Sequence, residues 1–297
     1  MVHYKICPLC SSEKISLYLE TNDFFLTSEP FSLFRCSDCG FVFTQDHPDE
    51  KDIGRYYKSV EYLSHNDSVK GFSGRLYRAS RKIMLITKRK LITRATGIKK
   101  GNLLDIGSGT GHFIREMKEA GWQVSGIEID EKVRLHSESS FNLKVHSPDE
   151  IQSLPSGSYD CITMWHVLEH FQYPFKYALE IKRLLKPDGI CLVALPNRFS
   201  FDAEHYRKFW AAYDVPRHLW HFSPFTFRLF AEKTGFRIIH TGSLPLDVFY
   251  ISMLSEKYCG AKLHLIAGLI TGKWFWFLSS FNIEKRSSLY YILKAES

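Results

Sequence analysis

The chain has 297 residues, of which 44% are hydrophobic and 24% charged, a balance that excludes a disordered or fibrous protein. At about 150 residues per domain the length predicts roughly two domains. The net charge of +7 is uneven: residues 1–100 hold 17 Lys/Arg against 11 Asp/Glu, and the rest hold 22 against 21.

Residues 1–46 read as short strands around two pairs, Cys7-Pro8-Leu9-Cys10 and Cys36-Ser37-Asp38-Cys39-Gly40. A two-residue gap lets both thiolates of a pair grip one tetrahedral ion. Cys7, Cys10, Cys36 and Cys39 are therefore expected to hold a structural zinc with no open position for catalysis. Neither pair opens a helix after a strand, so a thioredoxin-like redox motif is not expected. The other three cysteines are isolated in apolar runs, poor material for a disulfide framework. The opening MVHYKICPLC lacks the apolar core of a signal peptide, and a reducing cytoplasmic setting is expected.

Residues 47–97 read as a linker, to about residue 70, and a basic helix. From Ser73 to about Thr96, Leu76, Ile83, Leu85, Ile86, Leu91 and Ile92 recur at helical spacing. Residues 70–100 carry 11 basic side chains and no acidic one. Such a stretch attracts phosphate, nucleic acid or an anionic membrane surface, or docks against acidic surface of the same protein; both readings stay open.

Residues 98–297 read as one further domain. Strands are expected at Asn102–Ile106, Gln123–Ile127, Leu143–Val145, Tyr159–Met164 and Ile190–Leu195, with helices over 111–120, near 130–139 and over 175–185. Lys186-Pro187-Asp188-Gly189 reads as a turn. Alternation of this kind implies a parallel sheet covered on both faces. Phe236–His240 and Leu289–Leu293 read as the last two strands. Two insertions break the rhythm. Residues 197–222 are rich in Trp, Tyr, His and Arg. Residues 243–286 contain LHLIAGLITGKWFWFLSSF, which His264 and Lys273 interrupt too often for a span of about 20 apolar residues. It reads as a helical lid over substrate or as a membrane-surface element.

Leu103-Leu104-Asp105-Ile106-Gly107-Ser108-Gly109-Thr110-Gly111 puts three glycines on alternate positions after a strand, where the backbone must turn and approach a ligand. The spacing is not the dinucleotide G-x-G-x-x-G, and no Lys-Ser/Thr follows for a phosphate loop. Asp105 would repel a pyrophosphate and suits a ligand bearing ammonium and sulfonium groups. Glu128 ends the next strand, where an acid accepts hydrogen bonds from ribose hydroxyls.

Together with Leu154-Pro155, Tyr159-Asp160 and Leu184-Leu185-Lys186-Pro187-Asp188-Gly189, these residues resemble the class I S-adenosylmethionine (SAM)-dependent methyltransferases over about residues 98–242. The resemblance implies an α/β, Rossmann-like, seven-stranded and mostly parallel sheet with the last strand antiparallel. It implies SAM across the strand ends, held by Asp105, Gly107, Ser108, Gly109, Gly111, Glu128 and Ile129, with Asp149 or Glu150 at the adenine and His166 near the methyl group.

Trp165-His166-Val167-Leu168-Glu169-His170 follows the fourth strand. His166 or His170 could remove a proton from an acceptor hydroxyl or amine. The cluster also resembles the Glu-x-x-Glu-His of ubiquinone-biosynthesis O-methyltransferases and small-RNA 3′-end methyltransferases, where it holds a divalent ion. Here His166 replaces the first Glu, which disfavours a hard ion such as Mg²⁺. Asp214-Val215-Pro216-Arg217-His218 resembles the Asp-x-Pro-Arg-His of bacterial zinc-ribbon methyltransferases. Arg217 could fork a carboxylate or phosphate, or clip to Asp214, and His218 could be the base.

Three functions remain open. The first is methyl transfer to a hydroxyl of a small or glycan/lipid-linked metabolite, with peripheral membrane contact allowed. The second is an RNA methyltransferase that holds nucleic acid with the cysteine knuckles and basic helix; no Asn/Asp-Pro-Pro-aromatic motif follows the fourth strand. The third is a SAM-binding or zinc-ribbon interaction module without turnover. The sequence leaves the oligomeric state open.

Overall fold

The computed structural model describes residues 1–57 and 72–296, without the side chains of residues 72–80. Residues 58–70 of the expected linker and the Leu76 side chain lie outside the described residues. A seven-stranded sheet is built from β4 (Asn102–Ile106), β5 (Gln123–Ile127), β6 (Val145–His146), β7 (Tyr159–Trp165), β8 (Leu185–Pro196), β10 (Phe236–Ser243) and β11 (Ser288–Ala295). Its order is β10-β11-β8-β7-β4-β5-β6, and β11 runs antiparallel to both neighbours. The inner strands are buried almost throughout, as strands covered on both faces must be. The expected class I arrangement is thus the observed one. Successive strands run outward from β4 through β5 to β6, then return to its other side at β7. The connections after β4 and β7 leave toward opposite edges of the sheet, and the crevice at such a switch point is the usual ligand position.

The turn expected at Lys186–Gly189 lies inside β8. Tyr159 pairs with Leu185 and Cys161 with Ile190, so the four intervening residues bulge past Asp160. Asp160 accepts hydrogen bonds from the Lys186 ammonium and the Asn102 amide, both at 2.7 Å, which fixes the bulge to the start of β4.

The helices covering the sheet are α1 (Phe72–Thr96), α2 (His112–Glu119), α3 (Glu131–Phe141), α4 (Pro174–Leu184) and α6 (Pro224–Lys233). In α1, Ile92 is buried and Leu85 and Leu91 pack on the sheet, whereas Ile83 is exposed. Asp130 caps α3 by accepting from the amides of Lys132 and Val133.

A second, antiparallel sheet has the order β1 (Ile15–Asn22), β2 (Pro30–Cys36), β3 (Val42–Gln45) and β9 (Trp220–His221). The cysteine-bearing ribbon is thereby continued by the aromatic insertion, with Phe43 opposite Trp220. Cys7, Cys36, Cys39, Phe41 and Phe43 share one buried cluster with Leu104, Ile106 and Met164 of the main sheet. The rest of the first insertion is α5 (Phe201–Tyr206) and two single 3₁₀ turns. The second insertion is a helix pair, α7 (Asp247–Tyr258) and α8 (His264–Leu278). A Cβ on Gly268 would collide with the Met253 backbone, and one on Gly272 would lie 3.0 Å from Phe249 Cα. The two glycines thus let antiparallel helices approach backbone to backbone.

Candidate functional site

The glycine loop leaves β4 at the crevice. Gly107 has φ +74°, and a Cβ there would collide with Val167, so only glycine lets the loops after β4 and β7 meet. Gly109 has φ +51° and donates its amide to Glu128 Oε2 at 2.8 Å; Asp130 donates to Oε1 at 3.1 Å. Gly111, at φ +78°, stands at the start of α2. Asp105 is buried and accepts from Thr163 Oγ1 at 2.6 Å. Burial, reinforced by the Glu128 charge and offset by Thr163 and Lys88, pushes its carboxyl up to about 7. A ligand cation beside these two acids would relieve that cost, so the donor set fits an aminoacyl-sulfonium nucleoside and not a pyrophosphate.

The remaining expected cofactor contacts divide. Ile129, 80% exposed beside Glu128, offers an apolar face. The Ser108 side chain turns away beneath the loop, packing against Gly126, and its amide donates to the Ile127 carbonyl at 3.0 Å. Glu150 is engaged at the turn after β6. Its carboxylate accepts from Ser147 N and His146 Nδ1, both at 2.9 Å, and from Ser147 Oγ at 3.1 Å, which lowers its pKa to about 2. Both residues of the pair expected at the adenine are exposed; the Glu150 carboxylate is held by His146 and Ser147.

The loop after β7 gathers the expected acid–base residues. His166 sits at φ +58°, uncommon for a side-chain-bearing residue, with its amide on the Ala194 carbonyl at 3.0 Å. Its Nε2 lies 2.9 Å from Asp247 Oδ2 and its Nδ1 3.7 Å from Glu169 Oε1. Burial opposes its protonation, but Asp247 and Glu169 outweigh burial and push it up to about 9. His166 is therefore a cation at neutral pH, which removes it from the expected proton acceptors. His170 is held down to about 4, by burial first and then by His218, and is neutral.

His170 Nδ1 lies 3.0 Å from the Arg217 carbonyl, and His218 Nδ1 lies 2.8 Å from the Ala212 carbonyl. A carbonyl only accepts, so both Nδ1 atoms carry the proton, and neutral His170 keeps a lone pair on Nε2. Beside these rings, which pack edge to face with centroids 4.5 Å apart, stands Glu169, 1% exposed, with neither carboxylate oxygen hydrogen-bonded. Burial raises its pKa, and a larger lowering led by the His166 cation leaves it ionised. The ligand atoms of Glu169, His170 and His218 lie within 4.8 Å of one another and could hold a divalent ion. This grouping differs from the one the sequence offered and disfavoured for a divalent ion, His166 with Glu169 and His170, in that His218 takes the place of His166.

Arg217 is buried. Its Nη2 donates to Asp23 Oδ1 and Asp214 Oδ1, both at 2.7 Å, its Nε donates to Asp214, and its Nη1 donates to the Tyr56 carbonyl at 3.0 Å. Of the two readings left open, the clip describes this geometry, and the fork toward substrate does not. Two residues entered the site unforeseen. Asp247 lies in the second insertion, where no motif marks it. Lys88, on the basic helix, lies 4.2 Å over the Trp165 ring, and its charge acts on Asp105 and Asp247. Its only sequence signal was the unopposed charge of its neighbourhood.

At the other end of the ribbon, Cys7 Sγ lies 3.6 Å from Cys39 Sγ, and Cys10 Sγ 3.5 Å from Cys36 Sγ. Four thiolates about 2.3 Å from one zinc stand about 3.8 Å apart, so the cage fits that ion. The spacing is far beyond a disulfide bond.

Residues 77–241 match the family described as a methyltransferase domain. The ubiquinone biosynthesis O-methyltransferase of Aromatoleum aromaticum is 32% identical over 114 residues, covering 36% of this chain and 49% of that protein. The chain thus spans about half the length of the curated relatives it matches. Among solved structures, magnesium protoporphyrin IX methyltransferase from Synechocystis superposes with a TM-score of 0.54 at 14% identity, over 84% of this chain and all of that one. The [4+2]-cyclase SpnF superposes at 0.53 and 16% identity, over 84% and 98%. These likenesses are of fold, which by itself does not fix the reaction.

Proposed function

Because the chain belongs to the methyltransferase-domain family, we propose that it binds SAM in the Asp105–Glu128 cradle and methylates a hydroxyl of a small or glycan/lipid-linked metabolite. The observation that carries this reading is the pairing of that acidic cradle with the Glu169–His170–His218 cluster, one strand away across the β4–β7 crevice. The O-methyltransferase name borne by the curated relatives supports an oxygen acceptor here.

When bound, SAM supplies an electrophilic methyl group, already activated for displacement. Asp105 meets its ammonium, Glu128 its ribose hydroxyls, and Ile129 offers apolar contact. Alignment of the reactants can lower the barrier by roughly 7–11 kcal/mol. The acceptor proton passes to Nε2 of His170 or of His218, each ring held at Nδ1 by a carbonyl, and Glu169 stabilises the resulting imidazolium. Arg217 is a positioning residue: its carbonyl fixes the His170 tautomer.

A second version of the chemistry is favoured by the buried Glu169 carboxylate, whose oxygens accept no hydrogen bond. A divalent transition ion on Glu169, His170 and His218 would suit two nitrogens and one oxygen, and could lower the acceptor's pKa directly. The RNA alternative is weakened because two basic residues of α1 face the protein. Arg89 pairs with Glu116 at 2.9 Å and Lys88 covers Trp165.

The experiment is incubation with methyl-labelled SAM and fractionated cell extract. Label is expected in a small-molecule or lipid fraction, reduced at least about a hundredfold by His170→Ala with SAM affinity unchanged. Label in RNA would transfer the reading to the alternative. No label in any fraction, with SAM bound, would support the module without turnover. Loss of labelling on chelation, restored by a divalent ion, would select the metal version.

A further inference from the structure

We propose that the outer face of α8 docks the protein on an anionic lipid bilayer surface. No helix among the described residues is long and apolar enough to cross a membrane, and α8 has 15 residues. Its inner stripe, Gly268, Gly272 and Phe275, is buried against α7 and neighbouring turns. On the opposite side Leu265, Ile266, Leu269, Ile270, Trp274 and Phe277 are all exposed, Ile270 by 65% and Trp274 by 56%. They follow the spacing i, i+1, i+4, i+5, i+9, i+12, one continuous stripe of the helix. Contiguous exposed apolar surface of this kind marks an interaction site.

Charge selects the occupant. From residue 257 to residue 283 there is no Asp or Glu, whereas Lys257, Lys262 and Lys273 are exposed and, among the described residues, have no carboxylate in ion-pair range. Lys273 stands within the apolar stripe itself. A second copy across a two-fold axis would set the same lysines against one another with no acid to answer them. An anionic lipid surface answers them all, accepts the aliphatic side chains to a depth of about 5–10 Å, and accommodates tryptophan at its interface. Position connects the surface to the chemistry. The first residue of α7, the partner helix, is Asp247, which holds His166. An acceptor anchored in the same bilayer would therefore present itself beside the crevice; that last step rests on the function proposed above, and the docking does not.

The test is co-sedimentation of the full chain, without SAM or acceptor, with vesicles of phosphatidylcholine alone and of phosphatidylcholine mixed with phosphatidylglycerol. Binding is expected to the mixed vesicles and to fall as salt rises. Ile270→Glu together with Trp274→Glu should weaken it at least about tenfold, and Lys273→Glu should weaken it on the mixed vesicles. All three positions are exposed, and unchanged thermal unfolding would verify that the variants fold. Absence of sedimentation with either vesicle would overturn the proposal. So would a dimer in light scattering that the double variant dissolves while vesicle binding is unaffected.

Discussion

His166 Nε2 stands 2.9 Å from Asp247 Oδ2, joining the loop after β7 to the first turn of α7 across 81 residues of sequence. The contact ties the helix pair of the second insertion to the crevice and turns a potential base into a fixed cation. His166 is raised from 6.5 to about 9, so its contribution to stability is complete below about 6.5 and is lost as pH rises through 9. Asp247→Asn should remove about 2 kcal/mol at pH 6 and flatten the decline between pH 6.5 and 9. Urea unfolding across that range checks it, and parallel pH profiles for the two proteins would refute the assignment.

Arg217 and Asp23 form a buried ion pair, each no more than 1% exposed, that ties the ribbon to the aromatic insertion. Removing one partner of such a pair leaves the other charge uncompensated. Arg217→Ala should destabilise the fold by about 3–5 kcal/mol, with SAM affinity changed far less than stability. A variant with wild-type unfolding but lost activity would mean that Arg217 contacts substrate instead.

The four-thiol cage lies in one buried cluster with the main sheet, so zinc should support more than the ribbon. The purified protein is expected to carry about one zinc per chain. Cys36→Ser should lose the ion and lower the melting temperature of the whole chain in a single transition. Metal analysis with calorimetry reads both, and a folded wild-type sample without zinc would remove this element.

The main sheet was legible because buried parallel strands read as apolar runs between short turns, and the glycine loop because alternate glycines before a helix have few other uses. Legibility failed where partners lie far apart in the chain. Glu169 and His218 converge across the insertion, and nothing local to either residue announces it. Asp247 opens a helix outside the strand–helix alternation. Lys88 was one basic residue among many until its helix packed on Trp165. Glu150 misled because an acid after the third strand has two possible uses, and here a backbone turn and His146 claim it. The pairing of β3 with β9 is a two-residue register that no periodicity reveals.

SAM affinity of the wild type and of Glu128→Ala, measured by titration calorimetry, tests the acidic cradle most directly. Loss of charge-assisted hydrogen bonds of about 1.5–3 kcal/mol should weaken binding at least about tenfold. Equal affinity in the two proteins, or no SAM binding by the wild type, would contradict the account.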